Sequence, residues 1–192
     1  MKKQEILEHA LALFMEKGYA GASMSDLAAA TGIKKASLYA HYSGKEEIFS
    51  AVFTGVVEEY RETIQSLTLK REDESALTRL ERMFRAFLRY CHNNPRMYFW
   101  DRYFYFSPEF IQARMEQETK ETQDEFQQAI QSAISDGIAR REIRPQPVES
   151  AALAYYYLMI GLSMSVKLYD REELEREISL AWAGLARGLQ ND

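Results

Sequence analysis

The chain has a single cysteine, Cys91, so it can form no disulfide within itself and no zinc site built from several thiolates. Prolines number 4 and glycines 9 in 192 residues, which excludes a linker-rich or collagen-like chain. Nowhere do apolar and polar residues alternate with the period of two that marks a half-buried strand. There is no internal repeat and no low-complexity segment. No apolar run is read as approaching the roughly 18 residues of a membrane span, and the N-terminus has no cleavable signal pattern, so a cytoplasmic location is expected. Acids outnumber bases, 29 to 24, and the formal net charge of −5 excludes a protein that coats nucleic acid generally. No paired-carboxylate, phosphate-loop or nucleophile-elbow pattern occurs, so no catalytic residue, cofactor or metal is expected and the chain does not read as an enzyme. Cys91-His92 is no exception, because adjacent helical residues point about 100° apart; Cys91 fits an apolar stripe as a buried structural thiol.

What is present is helical periodicity almost from end to end, on 46% apolar and 28% charged residues. Residues 2–17 place Ile6, Leu7, Ala10, Leu13 and Phe14 at helical spacing, with Gly18 where a C-terminal cap belongs and Tyr19 packing beneath. Ser23 and Asp26 have capping-box spacing and should start a second helix. Leu27, Ala28 and Ala30 give it a short apolar face, and Thr31-Gly32 should end it through a left-handed glycine. From Lys34 to Tyr42 only Leu38 and Tyr42 suit an inward face. Lys35, Ala36, Ser37, Tyr39, Ala40 and His41 are left to look outward.

Two short helices joined by a tight turn are a helix-turn-helix, whose second helix enters the major groove. Charge favours that assignment locally. Lys2, Lys3, Lys17, Lys34, Lys35 and Lys45 balance Glu5, Glu8, Glu16, Asp26, Glu46 and Glu47 over residues 1–48, yet residues 32–45 hold three of the lysines and no acid. A basic face on an acidic chain favours phosphate at one place only.

Gly18-Tyr19, Ser23-Met24-x-Asp26-Leu27-Ala28, Gly32-Ile33, Ser37-Leu38-Tyr39-x-His41-Tyr42 and Lys45-Glu46 resemble the N-terminal signature of the tetracycline-repressor (TetR) family of bacterial transcription regulators. The resemblance covers the first quarter of the chain; the remainder is similar in length and helical layout. It implies an all-α fold and a homodimeric repressor released from a palindromic operator by a small molecule. By resemblance and position, Lys35, Ala36 and Ser37 face base edges, Tyr39, His41 and Lys45 hold phosphates, and Lys34 serves either purpose. Ser23 and Ser25 add phosphate contacts at the first helix's N-terminus. Two departures bear on the operator sequence: Ala22 stands where many relatives have a hydroxyl, and Lys34-Lys35-Ala36 replaces a small-residue opening.

Residues 1–48 are read as the helix-turn-helix domain and residues 49–192 as a helical ligand-binding and dimerisation domain. A long helix from Lys45, with Ile48, Phe49, Val52, Phe53, Val56, Val57, Tyr60 and Ile64 inward, links the two. Seven of the nine residues from Tyr98 to Phe106 are aromatic, a composition equally suited to core or to the wall of an apolar pocket. Phe84, Phe87, Tyr98, Trp100, Tyr103, Phe104, Tyr156, Met159 and Met164 are the expected walls, and the expected partner is a hydrophobic effector. Residues 148–168 are apolar almost all round. With the stripe Leu174, Ile178, Ala181, Trp182, Leu185 and Leu189 they predict a dimer made by the last two helices. The competing reading is a helical sequestering protein without specific DNA binding.

Overall fold

The computed structural model describes residues 3–190, so Lys2, the expected start of the first helix, lies outside the described residues. Among the described residues the protein is all-α: nine helices, no strand and one isolated bridge between Ile143 and Gln190. The helices are α1 (Lys3–Gly21), α2 (Met24–Thr31), α3 (Lys35–His41), α4 (Lys45–Thr68), α5 (Ala76–Asn93), α6 (Arg96–Tyr105), α7 (Glu109–Ala139), α8 (Val148–Ser163) and α9 (Arg171–Leu189). Their starts follow local chemistry. Ser75 accepts from the amide of Thr78 to cap α5, and Asp170 accepts from Glu172 and Glu173 to cap α9. Gly18 does not end α1 outright; its φ of 72° and ψ of 167° put a kink there, and helical turns resume to Gly21.

The described residues divide into two compact units. The first comprises the residues up to Arg61 together with Pro95–Thr119. Its centre is Phe49, fully buried, with the rings of Phe14, Tyr19, Phe99, Tyr103 and Phe110 at 4.8 to 5.9 Å. The aromatic run folds as α6, and one face of so short a helix cannot absorb seven rings. Phe99, Trp100 and Tyr103 turn inward, Trp100 stacking on Tyr60 at 5.1 Å, while Tyr98, Phe104, Tyr105 and Phe106 stay exposed. Three ties bind α6 to α1. Tyr103 donates to the carbonyl of Phe14 (3.1 Å), Arg102 to that of Met15 (2.9 Å), and Arg96 pairs with Glu8.

The second unit runs over Glu62–Asn94 and the described residues from Lys120 onward. Phe84 packs against Tyr155 and Trp182, and Phe87 against Phe126, which also meets Tyr156. The Tyr155 hydroxyl, wholly buried, donates to the carbonyl of Leu80 at 2.7 Å. Arg79 and Arg82 donate to the carbonyls of Thr68, Leu67 and Leu69, satisfying the last turn of α4, where the charged break begins. Cys91 is buried, as its stripe position predicts.

The segment Val148–Leu168 corrects one sequence expectation: its mean hydropathy of 1.3 makes it long and apolar enough to cross a membrane by length and composition. A helix that packs on neighbours through its small and apolar residues passes the same test. The segment is broken after Ser163, and only a third of its most apolar window is buried. Tyr157 and Leu158 of α8, Leu180 of α9, and Met164 and Leu168 between the two helices all face outward.

Candidate nucleic-acid interface

Helix α2 begins as the sequence requires. The Ser23 hydroxyl accepts from the amide of Asp26 at 3.1 Å, and the Asp26 carboxylate accepts from the Ser23 amide at 3.0 Å. Gly32 closes the helix in the left-handed conformation (φ 70°), its N–H directed at the carbonyls of Ala28 and Ala29. Helix α2 is therefore fixed at both ends by its own residues, whereas Lys34 opens the next helix without a side-chain cap. Helix α3 then hangs on Leu38 and Tyr42, both buried, and leaves Lys35, Ala36, Ser37, Tyr39, Ala40 and His41 exposed on one outward surface together with Lys34. Ser23 and Ser25 are exposed beside it, and the Lys35 ammonium reaches the Ser25 hydroxyl at 3.2 Å. Eight of the nine expected DNA-facing residues are thus exposed, on α3, its approach and the start of α2.

Lys45 differs. It is half-buried, and its ammonium donates to the carbonyls of Tyr19 (2.7 Å) and Ala22 (2.8 Å) while lying 4.2 Å from the centre of the Tyr19 ring. This ammonium is thus engaged by protein groups, unlike the other expected DNA-facing residues, which are exposed. Ala22 is buried as well, so its methyl faces protein.

Sequence reasoning missed one brace of this surface. Lys17, nine positions before its partner, pairs with Asp26 at 2.7 Å, a long-range contact that no helical period signals. That ammonium, followed by the hydrogen bonds from Ser23, holds the Asp26 carboxyl down to about 2. The folded protein thus binds this proton less readily than the unfolded chain. The tie contributes fully above a pH of about 4 and is lost as the pH falls through about 2. In Lys17→Met the Asp26 carbon shift, followed by NMR, should titrate nearer the ordinary carboxylate value; an unmoved midpoint would assign the depression to Ser23 alone.

The nine expected ligand-facing residues are divided between the two units. Phe84, Phe87, Tyr156 and Met159 are packed in the core of the second unit, and Trp100 and Tyr103 in that of the first. Tyr98 and Met164 face solvent. Phe104 lines a cleft of about 210 Å³ with Tyr105, Ser107, Gln112, Met115, Glu116 and Thr119.

Residues 6–52 match the family model for bacterial regulatory proteins of the tetR family. Over 47 residues the chain is 51% identical to the biofilm operon icaADBC HTH-type negative transcriptional regulator IcaR of Staphylococcus epidermidis, a stretch that is 24% of this chain and 25% of that one. The chain therefore matches about a quarter of the length of its curated relatives. Similarity of fold extends further. A putative tetR family regulator from Shewanella sp. PV-4 superposes with a TM-score of 0.66 at 25% identity, with all of both chains covered. AibR, solved in complex with isovaleryl coenzyme A and operator DNA, superposes with a TM-score of 0.64 at 20% identity over 95% of each chain. Over its helix-turn-helix the chain matches the tetR family of bacterial regulatory proteins, and the all-helical architecture that carries it is the fold of solved tetR family regulators.

Proposed function

We propose that the protein is a cytoplasmic, homodimeric transcriptional repressor that reads a two-fold-symmetric operator through α3 and leaves it when a hydrophobic small molecule binds. One observation carries this reading: the exposed face of α3 and its approach hold Lys34, Lys35, Ala36, Ser37, Tyr39 and His41, and no acid, on a chain that is acidic overall. Lys35, Ala36 and Ser37 take the base edges. A lysine donates to guanine O6 or N7, and an alanine methyl meets a thymine methyl. Tyr39, His41, Ser23 and Ser25 hold phosphates and fix the register; Lys34 does either.

Dimerisation is assigned to α8 and α9 because their outward apolar residues Tyr157, Leu158 and Leu180 lack cover within one chain. The effector is placed against α6, whose exposed rings border the cleft beside Phe104. IcaR is a negative regulator by name, which supports repression, and AibR was solved in complex with isovaleryl coenzyme A and operator DNA, which supports a chain that binds both a small molecule and DNA. Such a ligand must prefer the non-binding conformer, and DNA must weaken the ligand in return.

The test is fluorescence anisotropy of a selected operator against a scrambled duplex, across salt. Lys35→Ala should lower the preference for operator on the order of tenfold, as loss of one good base contact does. An unchanged preference would remove Lys35 from the base-reading set. A wild-type protein with no salt-sensitive binding to either duplex would favour the sequestering protein instead.

A further inference from the structure

We infer that Lys45 is a positioning residue for the DNA-reading face: it binds no phosphate and instead fixes the junction between α1 and α2. This inference rests on the DNA-binding reading above.

In a continuous helix the amide of residue 23 would donate to the carbonyl of residue 19, and that of residue 26 to the carbonyl of residue 22. The capping box diverts both. The Ser23 amide goes to the Asp26 carboxylate and the Asp26 amide to the Ser23 hydroxyl, which starts α2 cleanly but leaves the carbonyls of Tyr19 and Ala22 behind. Those two carbonyls are the ones that the Lys45 ammonium takes, at 2.7 and 2.8 Å. A half-buried carbonyl left without a donor is costly, and a charge-assisted bond is among the stronger replacements.

Electrostatics agree with this placement. Lys45 is the first residue of α4, where the helix dipole disfavours a cation. It is set against the carbonyl end of α1 and over the Tyr19 ring, which favour one. Tyr19 is itself packed on Phe14 and Phe49, so the ammonium's seat belongs to the first unit's aromatic core. Lys45 thus ties the start of α4 to the entry of α2, and the Lys17 to Asp26 pair braces the same entry from α1.

The experiment compares full-length wild type, Lys45→Met and Lys45→Arg in two measurements. The first is the dependence of log affinity on log salt for operator and for random duplex. The second is amide exchange of residues 22–27 without DNA. For Lys45→Met we expect operator affinity to fall about tenfold or more, random-duplex affinity to stay, and the salt slope to remain that of wild type. Amide exchange at the entry of α2 should speed by a similar factor, since its two carbonyls lose their donor. Lys45→Arg, which keeps donors and charge, should restore both readouts.

A slope smaller by about 0.9, with equal losses on operator and random duplex, would make Lys45 a phosphate contact and overturn the proposal. Unchanged amide exchange would overturn it too. Lys45→Gln, which keeps a donor without the charge, carries the same comparison should Lys45→Met not fold. Failure of the DNA-binding reading looks different: wild type and variants would then be equally silent toward both duplexes, while exchange still reports on the junction.

Discussion

Phe49→Ala is expected to lower the stability of the first unit by about 3–5 kcal/mol, the range for deleting a fully buried aromatic side chain. Phe49 is inaccessible to solvent and is met by five rings, Phe14 and Tyr19 of α1, Phe99 and Tyr103 of α6 and Phe110 of α7. Five ring partners cannot collapse into the void together, because they are carried on three separate helices. The offset and edge-on geometries among them would be lost along with the buried area. Against a total of about 5–15 kcal/mol for a typical domain, that loss is large. Urea unfolding followed by circular dichroism should show the midpoint fall, and the new cavity lies behind the helix-turn-helix. A cost under about 1 kcal/mol would mean that Phe49 is not the hub of this core.

Gly18→Ala should cost about 1–3 kcal/mol from backbone strain alone, since a φ of 72° with a ψ of 167° is a region that glycine occupies almost exclusively. The new methyl would also sit 2.6 Å from Nη2 of Arg102. Arg102 must then swing aside and give up its bond to the Met15 carbonyl, one of the three ties between α6 and α1. A guanidinium is flexible enough to move, so strain should dominate. The comparison of Gly18→Ala with Gly18→Ala/Arg102→Ala separates the two contributions. If most of the cost persists without Arg102, strain is the cause; if it vanishes, the collision is.

These predictions show where the sequence could be read and where it could not. The start of α2, its left-handed glycine and the inward pair of α3 were legible because each is decided within four residues: Ser23 with Asp26, Gly32 with Ala28 and Ala29, Leu38 with Tyr42. The inward stripe of α4 was legible for the same reason, from Ile48 to Ile64. Helix α6 was not, because seven aromatics in nine residues leave no period to say which faces inward. Phe84 and Phe87 were equally good as pocket wall or as core, and only the rings opposite them, Tyr155, Trp182 and Phe126, place them in the core. Lys45 could not be read at all from its own neighbourhood. Its orientation depends on two carbonyls freed by a capping box some twenty residues earlier, a consequence visible only once both elements are built.

The central claim is that α3 reads a specific DNA site. Its most direct test is selection of genomic fragments by the purified protein at near-physiological salt, followed by footprinting of the best fragment. The account predicts a protected site with two-fold symmetry, its half-sites about one helical turn apart, as two recognition helices of a dimer require. Retention of no fragment at low or moderate salt, with the protein folded and dimeric and no ligand co-purified, would contradict it.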